Sequence, residues 1–176
     1  MRASIHYTTF IIAAAFVLFG GRAAAQQGET EPNLKAAYIY NFTLYINWEV
    51  DGDGEDFIIG EMGYSNLDSA LGTIARNYLV NNRRIVLRHF RRPEDIDYCQ
   101  VLFIPAGYGF PLRSILGRLG KGVLTVGERK GYARDGVALN FVVVNEKLKF
   151  EANEKAMNKM GLKASSQLLK LAILVN

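Results

Sequence analysis

Residues 99–107 read CQVLFIPAG, and a short way on residues 122–126 read GVLTV. Each holds an apolar run too short for a helix and without the alternation of a half-wet strand. That is the pattern of a strand buried on both faces, as parallel sheets require. Residues 111–118 between them read as a helix, so the unit is strand, helix, strand, with a right-handed crossover. Toward the amino end, residues 84–90 alternate, Ile85 and Leu87 against Val86 and Arg88, a strand at or near an edge. Residues 66–78 read as an amphipathic helix with Leu67, Leu71, Ile74, Ala75 and Tyr78 on one face, and residues 57–60 (FIIG) as a short buried strand. Asn33 can cap a first helix that ends near Trp48, with Leu34, Ala37, Tyr38, Ile39, Phe42, Tyr45 and Ile46 at helical spacing.

Toward the carboxyl end the pattern changes. Residues 137–144 and 148–152 read as two strands of a hairpin around Asn145, Glu146 and Lys147. Leu148, Phe150 and Ala152 alternate with Lys147, Lys149 and Glu151, so one face is buried and lysines guard an edge. Asn153 then caps a helix that Gly161 stops, and Ser165 or Ser166 starts a last helix with Leu168, Leu169, Ala172 and Ile173 inward. The fold expected is α/β: three layers, a mainly parallel central sheet with helices on both faces, and an antiparallel C-terminal hairpin at one edge.

The chain has 176 residues and a formal net charge of +4. Its first 25 residues read as a cleavable secretory signal: Arg2 and no acid, an apolar run over 10–19, then Ala23-Ala24-Ala25. Cleavage is expected between Ala25 and Gln26. The apolar run is half of the roughly 20 residues a spanning helix needs, so the mature chain is expected not to be embedded in a membrane. Residues 26–32 (QQGETEP) read as a flexible leader, and residues 33–176 as a single domain. Without Arg2 and Arg22 the mature chain carries two more basic than acidic residues, and nucleic acid is not an expected partner. Cys99 is the lone cysteine. It cannot form an internal disulfide, and beside the run 101–104 it reads as a buried thiol.

The search for chemistry is mostly empty. One Cys and one mature His, His89, cannot make the usual N/S zinc site, and His89 reads as a surface or edge residue beside Arg88 and Arg91. No serine stands in a G-x-S-x-G elbow. Asp51, Asp53 and Glu55 form an acidic turn that lacks the glycine and glutamate of a calcium-binding EF-hand loop. Gly117, Gly120 and Gly122 lack the Walker pattern, and Gly107-Tyr108-Gly109 has Leu112 where a dinucleotide fingerprint needs glycine. No catalytic residue, metal site or cofactor is expected. The aromatic residues are more informative. Tyr38, Phe42 and Tyr45 read as core, while Tyr40 and Trp48 can line a groove at the helix end. The loop after the strand 101–105 carries Tyr108 and Phe110 among glycines, at the carboxyl end of a parallel strand where ligands of such sheets collect. Tyr108, Phe110, Trp48 and Tyr40 are therefore the candidates for binding a partner or ligand.

Four blocks in order carry a resemblance: LKAAYIYNFTLYINWE (34–49), CQVLFIPAG (99–107), LTVGERKGYARDGVALNFV (124–142) and LKFEANEKAMNKMGLKASSQLLKLA (148–172). Together they resemble the YfiR-like family of periplasmic signalling regulators, also described as YfiR/HmsC-like. The resemblance implies a non-enzymatic protein that represses an inner-membrane signalling enzyme, a diguanylate cyclase or a sensor kinase, by contact with its periplasmic domain. Cyclic-di-GMP and biofilm outputs follow from that. Some family members carry several cysteines; here the Cys99 position is kept without a second one. Glu128 stands where Asp is common, and Ala152 where Ile is common. Two alternatives remain: a periplasmic small-ligand sensor, and an exported hydrolase of unrecognised type. A homodimer would match the symmetry of a dimeric receptor.

Overall fold

The computed structural model describes residues 30–49 and 54–175. The expected signal over 1–25, the leader up to residue 29, and Asp51 and Asp53 of the acidic turn lie outside the described residues. In chain order the elements are α1 (Glu31–Tyr45), β1 (Ile46–Trp48), β2 (Asp56–Met62), α2 (Asp68–Asn77), β3 (Leu79–Val80), β4 (Arg83–Phe90), β5 (Val101–Ile104), α3 (Leu112–Leu116), β6 (Leu124–Gly127), β7 (Leu139–Val144), β8 (Lys147–Ala152), α4 (Glu154–Lys159), β9 (Leu162–Ala164), α5 (Ser166–Leu171) and β10 (Ile173–Leu174).

Eight strands form one sheet in the order β10-β8-β7-β6-β5-β2-β4-β3. Within it β4, β2, β5, β6 and β7 are parallel neighbours. Numbered by first appearance, that block has the doubly wound order 2-1-3-4-5. Alternate residues serve opposite faces. Val101 and Phe103 join Phe57, Ile59, Ile39, Phe42 and Leu71 beneath α1 and α2. Leu102 and Ile104 join Met62, Phe90, Cys99 and Ile115 beneath α3. The expected α/β sheet with helices on both faces is therefore the observed one. Tyr38 and Phe42 of α1 pack on Phe141 and Phe150 of the hairpin, with ring centroids 4.9 to 6.0 Å apart.

Several boundaries differ from expectation, each for a local reason. Helix α1 begins before Asn33, because Thr30 is extended and Pro32 sits in the first turn, where its missing N–H costs nothing. It ends at Tyr45 rather than near Trp48. Ile46 is extended, and residues 46–48 pair antiparallel with 162–164 in a separate two-stranded sheet. The β3–β4 and β7–β8 hairpins turn on Asn81-Asn82 and Asn145-Glu146, all four residues at positive φ, as mirror-image turns require. The C-terminal hairpin is antiparallel, with β10 added in parallel outside β8 at Glu151 and Ala152. Ile173, expected on the inner face of the last helix, belongs to β10 and is 39 % exposed. Asn153 and Ser165 cap α4 and α5 as expected.

Gly60 lies under side chains from the strands on either side of it: a Cβ there would stand 2.6 Å from Phe90 Cε2 and 3.2 Å from Cys99 Sγ. Gly60→Ala should lower the unfolding free energy by about 1–3 kcal/mol through overpacking, read as a lower urea midpoint. An unchanged midpoint would mean the Phe90 ring has room to yield. Cys99 is fully buried, and burial pushes its thiol up to about 12. It should resist a thiol reagent in native buffer and react fully in denaturant; rapid native labelling would contradict this packing.

Candidate functional site

The parallel strands all end at one rim. From β2 the chain crosses to β4 on one side, then back past β2 to β5 on the other. The carboxyl ends of β2 and β5 therefore diverge and leave a crevice between the segments that follow them. Residues 63–67 come from β2, residues 105–111 from β5, Glu128 from the end of β6 and Arg91 from the end of β4.

The loop after β5 holds Tyr108 and Phe110 together, rings 5.3 Å apart and stacked at 26°. Tyr108 is the anchor. Its hydroxyl donates to the Arg91 carbonyl at 2.9 Å, and its ring lies over Gly63, where φ is +73°. Burial, with Asp95 and Glu94 adding to it, holds the Tyr108 hydroxyl above the ordinary tyrosine range. Phe110 projects from that anchor and is 40 % exposed. The other two candidates lie elsewhere. Trp48 donates its indole N–H to Gly122 O at 2.9 Å and packs edge-on against Phe57, at the amino ends of the strands. Tyr40 sits against Tyr78, ring centroids 4.9 Å apart, with its hydroxyl toward Leu79 O at 3.3 Å. The structure thus brings Tyr108 and Phe110 into one surface and leaves Trp48 and Tyr40 outside it.

Charged groups line the same rim. Glu128 accepts from Lys35 at 2.7 Å and from the Ala106 backbone N–H at 3.1 Å, tying α1 to the loop after β5. Burial works against the Lys35 charge, but Glu128 and Glu31 outweigh it and hold the ammonium above the ordinary lysine range. Beside this bridge a groove of about 490 Å³ is lined by Lys35, Lys130, Phe141, Val143, Leu148 and Ile173, among others.

On the α1/α2 side of the rim, Glu61 of β2 stands in register with His89 of β4, and Asp68 opens α2 just above them. His89 Nδ1 is 3.2 Å from Gly63 O and 3.5 Å from Glu61 Oε2, and Nε2 is 3.3 Å from Asp68 Oδ1. Tyr64 stacks on the imidazole at 4.4 Å. His89, expected at the surface or an edge, lies on the stretch of β4 that β3 does not cover, but its side chain continues the inward series Ile85, Leu87 and is 26 % exposed. Glu61 is 2 % exposed. Burial pushes its carboxyl up to about 8; the Ser65 hydroxyl opposes the rise, and the Asp68 and Glu128 carboxylates add to it. Sequence reasoning missed this trio. One signal was present, an acid directly following the apolar FIIG.

A family model described as YfiR/HmsC-like matches residues 32–173, a span that contains the four blocks quoted above. A search of curated proteins returns no match.

The Glu61 carboxyl gives a pH signature of defined sign. Its folded-state value lies above the ordinary 4.5, so between about pH 4.5 and 8 the folded chain holds a proton that the unfolded chain releases. Stability from this group is complete below that window and falls as pH rises through it. In EDTA, urea midpoints should decline across this range for the wild type and decline less for Glu61→Gln. Parallel declines in the two proteins would remove Glu61 as the cause.

Proposed function

The chain belongs to the YfiR/HmsC-like family, whose members are periplasmic regulators of signalling, and from that premise we propose that it represses a membrane-bound signalling enzyme by docking on the enzyme's periplasmic domain. The enzyme is a diguanylate cyclase or a sensor kinase, and its release raises cyclic-di-GMP or the equivalent output, with biofilm formation as the visible consequence. The chain reaches its partner by export, through the signal over residues 1–25 cut between Ala25 and Gln26. Among the described residues no helix is long and apolar enough to cross a membrane.

The observation that carries the docking reading is the Tyr108–Phe110 pair. Phe110 exposes a large apolar ring on a short loop, and Tyr108 fixes that loop through Arg91 O and the Gly63 turn. An aromatic side chain pre-positioned on a rigid scaffold loses little conformational entropy on binding, the profile of an interface hot spot. Tyr64, 65 % exposed, extends the same rim with a further ring.

A small-ligand sensor is the second reading, favoured by the groove beside Lys35 and Lys130. Its apolar wall of Phe141, Val143 and Leu148 with two ammonium groups suits a small anionic or aromatic molecule. The two readings combine if a ligand shifts the population able to dock.

The test is genetic and biochemical together. Deleting the gene should raise cyclic-di-GMP or attachment, and the wild-type gene should restore repression. Phe110→Ala, produced at equal level, should dock about 30-fold more weakly, the equivalent of roughly 2 kcal/mol for a hot-spot truncation, and should fail to restore repression. Mass spectrometry of the exported protein should find Gln26 at its amino terminus. Full repression by Phe110→Ala would move the docking surface away from this loop, and unchanged signalling on deletion would remove the regulatory reading.

A further inference from the structure

His89 is surrounded by more acceptors than it has protons to give. Its Nδ1 faces a carbonyl and a carboxylate, and its Nε2 faces a second carboxylate. Both oxygens of Glu61 and Oδ1 of Asp68 are closed off from solvent and meet no hydrogen-bond donor in acceptable geometry. A buried carboxylate without donors is costly in any protein. Glu61 is 2 % exposed and held in register beside His89, so it cannot turn to water. A proton held by Glu61 relieves one of the two carboxylates; what satisfies both together is positively charged and small.

The tautomer indicates which kind of charge. The Gly63 carbonyl is an obligate acceptor, so at 3.2 Å it selects the form with the proton on Nδ1. Nε2 then carries the free lone pair, with Asp68 Oδ1 3.3 Å away. Metal-bound histidines adopt this arrangement, one ring nitrogen donating to a backbone carbonyl while the other binds the ion. The spacing agrees. Ligands about 2.1 Å from a tetrahedral ion stand about 3.4 Å apart, and Nε2 and Oδ1 are 3.3 Å apart. One ligand atom from each of Glu61, Asp68 and His89 lies within 4.8 Å of the others.

We propose that Glu61, Asp68 and His89 form a binding site for a divalent first-row transition ion of the zinc type, bound through one imidazole nitrogen and one oxygen from each carboxylate. The two carboxylates balance the ion's charge. The nitrogen ligand and the low ligand number disfavour calcium and magnesium, which take six or more oxygens or retain much of their water. Three protein ligands leave a fourth position for water, and the exposed Tyr64 ring stacks on the His89 imidazole. The site is independent of the docking reading, and its test does not pass through a partner protein.

The experiment uses the exported, EDTA-stripped protein. Zn²⁺ is added in a calorimeter, and Co²⁺ is added while the visible spectrum is recorded. The wild type should take up one equivalent of Zn²⁺, gain thermal stability with the logarithm of free Zn²⁺, and give the intense ligand-field bands of four-coordinate Co²⁺. His89→Ala should weaken binding at least about tenfold and abolish the bands. Should His89→Ala fail to fold, the isosteric Asp68→Asn decides. Asp68 is part-exposed at the start of α2, and the asparagine should preserve the fold while lowering affinity and altering the Co²⁺ spectrum. No uptake at micromolar Zn²⁺ by the wild type overturns the proposal. So does uptake of equal affinity in the folded variants, which would put the ion elsewhere.

Discussion

Pairing of β2 with β5 is the constraint from which the rest of the molecule follows. These two parallel strands sit side by side inside the sheet, yet between them the chain runs out to β4 on the far side of β2, and both must be covered on both faces. Phe57, Ile59, Val101 and Phe103 demand one layer of helices; Met62, Leu102 and Ile104 demand another. Helix α1 answers the first demand with Ile39 and Phe42, and α3 answers the second with Ile115. Gly60 permits the close approach on the second face. A parallel sheet cannot be half finished, because an uncovered face would leave a continuous apolar surface in water.

The same pairing creates the rim. Loops leaving β2 and β5 diverge, so polar groups collect there without breaking the sheet's hydrogen bonding. Two kinds of chemistry sit side by side. Around Lys35 and Glu128 every short contact has a donor and an acceptor. Around Glu61, Asp68 and His89 the carboxylates outnumber the donors. The first arrangement secures α1 to the loop after β5. The second gathers three carboxylate oxygens without donors in one place, where elsewhere among the described residues single oxygens of Asp56 and Asn140 go without a hydrogen bond, and that concentration marks the site as adapted for something other than stability.

Much of this was legible in the chain. The runs 101–104 and 124–127 announced buried parallel strands because nothing polar interrupts them, apart from Thr125, whose hydroxyl accepts the Ala138 N–H. Asn153, Ser165 and Gly161 marked helix ends by local chemistry alone. Strand β1 was not legible: INW continues the helical apolar spacing of α1, and only the distant partner strand at 162–164 makes it extended. The Glu61 site was half legible. An acid after FIIG and a histidine in the series Ile85, Leu87, His89 were both in view. Their meeting with Asp68 depends on strand register and on where α2 starts, neither of which periodicity reports. Tyr108 and Phe110 were found as a pair, but which ring anchors and which projects depends on Arg91 and Gly63, far away in sequence.

The two margins of the sheet limit how copies of this molecule can associate. One ends in β3 and the other in β10, each only two residues long, and the stretch of β8 left beyond β10 carries Lys147 and Lys149. Neither border offers a long, uncharged ladder of free amides to a second sheet. The stretch of β4 beyond β3, residues 85–90, is interrupted by Arg88, so a pair of these molecules that met through helices or loops would rest on side chains and could be loosened without melting either body. That suits the docking and release proposed above.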